Sequence, residues 1–169
     1  MGVLSGKTGL LVWVSGGIVL LDQATKWAVQ TWMFPRQSVE VIPGLFHLTY
    51  TFNLGAAFGL FSGAPESVRI AFLVGVSLVA LAVLGVLYSR VPAERRFVLL
   101  ALALIMGGAA GNLIDRIHLK QVVDFLDFFW RDYHWYTFNV ADSAITVGAL
   151  SLMAMSLFSK QGDLFSKER

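Results

Sequence analysis

The sequence predicts an α-helical integral membrane protein: four transmembrane helices with a small extracytoplasmic β element, all in a single membrane domain over 1–169. Three observations carry that expectation. The 169 residues are 56% hydrophobic and 14% charged, with a mean hydropathy of +0.68. Soluble domains sit near ~45–50% apolar and ~25% charged. Four apolar runs are long enough to cross a bilayer, which needs roughly 20 residues each. Finally, one stretch alternates with a period of two, as a half-buried strand does.

The first run, from Gly9 to Leu21, follows Lys7 and has the form of a signal-peptide core. No small-residue cleavage site follows it, and helical character continues through DQATKWAV. A retained span over 8–30 results, with Asp22 and Lys26 spaced i, i+4 on one face. Within 31–66, Pro35, Pro43 and Pro65 break helices. Phe46, Leu48, Tyr50 and Phe52 alternate there with His47, Thr49, Thr51 and Asn53, which predicts a strand over 46–52. The second span, 68–89, carries no charge from Ile70 to Tyr88. The third covers 97–115 and the fourth 138–158, joined by a loop over 116–137.

Basic residues set the orientation. Lys7, the Arg90/Arg95/Arg96 loop, and Lys160, Lys167 and Arg169 share one side; Arg36, Lys120 and Arg131 lie on the other. The positive-inside rule then puts both termini in the cytoplasm and the two longer loops outside. Trp130, Tyr133, Trp135 and Tyr136 suit an aromatic belt at the outer interface. A net charge of +2 gives no footprint for nucleic acid. The chain has no cysteine, hence no disulfide, thiol nucleophile or thiolate metal site. HExxH, GxSxG and SxxK are all missing, which leaves aspartate as the hydrolytic chemistry open to the chain.

Asp124 in VVDF and Asp142 in FNVADSAI flank the outer end of the fourth span. Carboxylates at a membrane-spanning segment are costly and mark function. Two close together share a proton, giving one base for water and one acid for a leaving amide. Asp142 falls in the first helical turn with Asn139 as cap, and the positive helix end makes it the better candidate for the base. Such a pair titrates as a unit, so either assignment stays open. The plainer alternative makes Asp142 a helix-capping charge and Asp124 a solvated acid. Asp127 is a rival partner.

GGAAGNLIDR is the second constellation. Gly107 and Gly111 make a small-xxx-small step for close helix packing, while Gly108, Asn112, Asp115 and Arg116 fall near one face. Asn112 and Arg116 suit substrate backbone or a lipid headgroup, with Asp115 orienting Arg116, or equally a packing seam with an interfacial ion pair. Asn53 is either an ordinary turn residue or a donor to an extended peptide. Asp22 with Lys26 is more simply a structural ion pair, and His118 and His134 are assigned no role.

Five stretches in order, DQATK, NLGAAF, GGAAGNLIDR, VVDF and FNVADSAI, together resemble the bacterial lipoprotein (type II) signal peptidases. That resemblance implies an intramembrane aspartic endopeptidase of the bacterial cytoplasmic (inner) membrane, without metal or cofactor. It would cut prolipoproteins just before a cysteine carrying diacylglycerol, near the outer leaflet, and respond to globomycin-type inhibitors. It makes Asp124 and Asp142 the dyad and Asp22, Lys26, Asn53, Gly108, Asn112, Arg116, Asn139 and Ala141 supporting positions. A monomer fed sideways from lipid, with 53–62 as a cover, is expected. The rival classes are a small transporter or proton relay through Asp22, Lys26, Asp115 and Asp142, and a non-catalytic lipoprotein chaperone. Relay acids should spread through the bilayer depth; here they cluster at one end.

Overall fold

A computed structural model of the protein describes residues 6–55, 65–131 and 133–158. Along the chain come α1 (Lys7–Trp32), β1 (Ser38–Ile42), β2 (Phe46–Asn53), α2 (Glu66–Arg90), α3 (Arg96–His118), β3 (Val122–Trp130), β4 (Tyr133–His134) and α4 (Val140–Phe158). All four helices are long and apolar enough to cross a membrane. The cover expected over 53–62 and the basic residues of the C-terminal tail lie outside the described residues, apart from Asn53 to Gly55.

α3 is the central helix. More than half of its apolar window is buried, against less than a fifth in each of the others, and it packs on α1, α4 and α2. Without a hydrophobic drive between helices in lipid, close packing by small residues has to hold such a bundle. Gly107 faces Ser15 and Ile18 of α1, whereas Gly108 faces α4: a Cβ at 108 would run into the Ala141 carbonyl oxygen and lie 2.8 Å from Ile145 Cγ1. The two adjacent glycines therefore let α3 touch both neighbours at once. Gly108→Ala should lower stability by about 1–3 kcal/mol, the usual cost of overpacking, read as a lower melting temperature in detergent. Outward-facing apolar side chains, Trp13, Leu20, Val79 and Phe97 among them, leave the bundle surface suited to hydrocarbon.

At the end where α2 meets α3, Tyr88, Val91, Val98, Leu99, Leu102 and Ala103 form one buried cluster. Lys7 closes the α2 C-terminus by donating from Nζ to the Ser89 and Val91 carbonyls at 2.8 and 2.6 Å. A cation there complements the negative end of the helix.

The opposite end carries an antiparallel sheet in the order β1-β2-β3-β4. The strand expected at 46–52 is β2, but 116–137 is not simply a loop. Val122–Trp130 is a nine-residue strand. Its first four residues are all buried, so it lacks the alternation that betrays a strand with one wet face. Val123 and Phe125 pack with Val29 and Tyr50 in a second cluster that seats the sheet on α1.

Between Leu48 and Thr51 the pairing shifts by one: Leu48 faces Leu126, yet Thr51 faces Asp124 and Asn53 faces Val122. This bulge adds one residue to β2. A one-residue slip exchanges the two faces of a strand, so without the bulge Tyr50 and Phe52 would stand beside Asp124. With it, Thr51 and Asn53 do.

α3 also runs three residues beyond the expected end at 115, so Arg116 to His118 are helical. It ends at His118, capped by Leu119; the next residue, Lys120, has a left-handed φ of 61°, and its Nζ donates to the Ile117 carbonyl at 2.9 Å. No glycine or proline announces that stop.

Candidate active site

The site begins with a helix cap. Asn139 Oδ1 accepts the Asp142 N–H at 2.9 Å, and Asp142 Oδ2 accepts the Asn139 N–H at 3.2 Å. This reciprocal capping box satisfies two donors that the start of α4 would otherwise leave open. With its oxygen so committed, Asn139 must turn its amide nitrogen the other way. That nitrogen donates to Asp124 Oδ1 at 2.7 Å, and to Asn112 Oδ1 and the Val123 carbonyl at 3.1 and 3.2 Å. One fully buried asparagine therefore joins the strand-borne and helix-borne carboxylates.

Asn112 repeats the device from α3. Its Nδ2 donates to Asp142 Oδ1 at 2.7 Å, while its Oδ1 accepts from Lys26 Nζ at 3.0 Å. Both Asp142 oxygens thus accept hydrogen bonds. Lys26 completes its three donors on Asp22 Oδ2 at 2.8 Å and Asp115 Oδ2 at 2.9 Å. Asp22, Lys26 and Asp115 are each at most 2% exposed, where an unpaired charge would cost several kcal/mol.

Each anion holds a further element. Asp22 Oδ1 accepts the Ala141 N–H at 2.9 Å, fixing the first turn of α4 on α1. Asp115 Oδ2 accepts the Val123 N–H at 3.1 Å, fixing β3 on α3. The scaffold passes through Gly111, where a Cβ would come within 2.6 Å of Asp22 Oδ2, and past the fully buried Ala141.

Asp124 is 2% exposed, and its carboxyl is pushed up to about 7. Desolvation is the main cause, and the neighbouring Asp142 charge adds to it; hydrogen bonds from Asn53 and Asn139 and the Lys26 charge oppose. A carboxyl in that state holds a proton near neutral pH. The arrangement provides a proton donor beside a hydrogen-bonded acceptor.

The two carboxyls open on one cavity of about 480 Å³, bounded by α2, α3, α4 and the segment entering α4. Asn53, Asn112 and Arg116 are among its polar lining residues; Val76, Ala80 and Ile145 are among its apolar ones. α2 packs chiefly on α3, so the cavity lies where α2 and α4 stand apart.

A family profile described as Signal peptidase (SPase) II matches residues 14–158. The chain belongs to the signal peptidase II family. A lipoprotein signal peptidase from Desulforapulum autotrophicum is 49% identical over 152 residues, covering 89% of this chain and 93% of that protein. One of the same name from Geobacter sulfurreducens is 47% identical over 145 residues, covering 86% and 89%. A solved bacterial membrane enzyme superposes with a TM-score of 0.81 at 29% identity, each chain covered to 95%. As a member of the signal peptidase II family, the chain is a multi-pass bacterial membrane protease.

The fold gathers Asp22, Lys26, Asn53, Gly108, Asn112, Asp115, Arg116, Asn139 and Ala141 around Asp124 and Asp142. Asp115 does not orient Arg116, as its position suggested; its oxygens go to Lys26, Gln23 and Val123. Helical geometry turns adjacent side chains about 100° apart, so Asp115 faces α1 while Arg116 reaches the cavity. Arg116 donates to the Asn112 carbonyl at 3.3 Å, and its buried Nε has no hydrogen-bond partner among the described residues. Asn53 is the turn residue expected, since its Oδ1 accepts the Gly55 N–H at 3.0 Å, and its side chain also meets Asp124 at the cavity wall.

Asp127 is no partner for Asp124. It lies an odd number of residues along β3, and its carboxylate meets Thr49 and His134 instead. Sequence reasoning missed Gln23, whose amide donates to Asp115 at 2.9 Å and to Gly111 carbonyl at 3.3 Å. Its position beside Asp22, in the polar DQATK stretch of a membrane-spanning helix, was the available signal.

Proposed function

We propose that the protein removes the signal peptide from diacylglyceryl-modified prolipoproteins, cutting just before the lipidated cysteine, with Asp124 and Asp142 as an aspartic dyad. Asn139 carries this reading, because it holds the two carboxyls together and gives them different hydrogen-bond environments. Asp142, accepting on both oxygens, is the base; Asp124 is the acid. Asp142 takes a proton from water as its oxygen attacks the scissile carbonyl carbon. Asp124 gives its proton to the amide nitrogen as the C–N bond breaks. Arg116 and Asn53 face the substrate from the cavity wall.

The cavity's place between α2 and α4 supports sideways entry from lipid, with the cysteine's acyl chains left in the outer leaflet. The charge asymmetry of the loops supports cytoplasmic termini and a site near the outer face. A globomycin-type peptide would compete in the same cavity, and one chain contains every group the reaction needs.

Two measurements test this. Purified enzyme should cut a prolipoprotein carrying the diacylglyceryl group and leave the unlipidated precursor largely intact; equal cleavage of both would overturn the substrate assignment. In a pH series, kcat/KM should fall tenfold per pH unit above about 7, as Asp124 loses the proton it must donate. The linkage has the matching sign. A carboxyl raised when folded binds its proton more tightly in the native state, so stability falls as pH climbs from about 4 to about 7, then levels.

A further inference from the structure

Outside the dyad and the Lys26 cluster, a further buried carboxylate is tied to a histidine. Asp127 is 5% exposed, and its Oδ2 accepts from Thr49 Oγ1 at 3.1 Å. His134 Nδ1 lies 2.9 and 3.2 Å from the two Asp127 oxygens. A carboxylate only accepts, so Nδ1 carries the proton and donates. The imidazole also stacks on Phe129, with centroids 4.9 Å apart and planes at 14°.

This pair sits at one end of the segment that walls the active-site cavity. β4 is only two residues long, pairing His134 with Phe129 and Tyr133 with Trp130. Beyond it, Trp135, Tyr136 and Thr137 line the cavity, and the Trp135 N–H donates to the Phe128 carbonyl at 2.8 Å. The far end is secured by Phe138, bridged to Leu126, and by Asn139. A two-residue strand gives little pairing of its own. The His134 side chain therefore reinforces the short β4 pairing and the Trp135 bond in holding the near end of the wall.

We infer that His134 is a positioning residue of this peptidase: through Asp127 it pins the Trp135–Thr137 wall against the cavity and so sets substrate affinity. It touches neither dyad carboxyl, and removing it leaves the chemistry intact. The inference rests on the proposed function for its kinetic test, but the wall itself can be followed separately.

The experiment compares intact His134→Ala, His134→Asn and His134→Gln proteins in detergent, with a diacylglyceryl prolipoprotein as substrate. Asn places an amide donor where Nδ1 stands, whereas Gln carries its donor one carbon further. The Ala and Gln variants should raise KM about tenfold with kcat changed less than about twofold, the mark of lost uniform binding; Asn should restore KM. Asp127→Ala should reproduce the KM change, and the double variant with His134→Ala should be no worse than either alone. Hydrogen exchange at the Trp135 amide should quicken about tenfold or more in the Ala variant and recover in Asn.

Ala and Asn variants that lose activity equally, a loss confined to kcat, or unchanged exchange at Trp135 would each overturn the inference. A wild-type enzyme that fails to cut the substrate would count against the proposed function alone, and the exchange result would still decide the role of His134.

Discussion

Asp142→Asn and Asp124→Asn should each lower cleavage of a lipidated prolipoprotein by about 10³-fold or more, with substrate binding nearly unchanged. Proton transfer by a positioned group contributes roughly 10²–10⁴-fold, and the dyad uses both of its members in one turnover. Their combination should be little worse than either single change, because residues that act as a unit lose their effect together. Structure should survive. Asn at 142 still accepts one of the hydrogen bonds now received from Asn112 and Asn139, and losing the other costs a cap about 1 kcal/mol. Turnover in single-cycle assays, together with capture of the uncut precursor, separates the outcomes. Binding without cleavage in the wild type would support a chaperone. Undiminished cleavage in both variants would remove the dyad.

Lys26→Met should destabilise the protein by about 3–5 kcal/mol, the cost of leaving a buried ionic group without its partner. Methionine keeps most of the side chain's length but none of its three donors, so Asp22, Asp115 and Asn112 all lose their common partner. The damage should reach the dyad. Asp22 holds the Ala141 N–H and Asp115 the Val123 N–H, so the elements carrying Asp142 and Asp124 are both released. A large fall in melting temperature and near-complete loss of cleavage are expected together. A variant that stayed as stable as wild type would show that the buried ions contribute no net stability, and that the scaffold lies elsewhere. In that event proton flux through liposomes would test the relay alternative, in which Lys26 carries charge.

The four spans and the strand β2 were legible because they rest on local patterns. Ile70 to Tyr88 announces itself by length and lack of charge, and Phe46 to Asn53 by strict alternation. Asp124 and Asp142 were legible because a carboxylate at a membrane boundary is costly enough to need a reason. β3 was not, since burial on both sides erased its period. Nor was the Asp115 partnership with Lys26, which joins residues far apart in sequence on two helices.

The sequence by itself determined the membrane class, the number of spans, the absence of thiol chemistry and the identity of the two candidate acids. Only the tertiary structure decided how those acids are joined. The β2 bulge puts Asn53 and Thr51 on the Asp124 face, and Asn139 spends its oxygen on α4 and its nitrogen on β3. Such choices depend on which donors remain unsatisfied once helices and strands have met. That is a property of the assembled interior, because hydrogen bonds between distant elements leave no period in the chain.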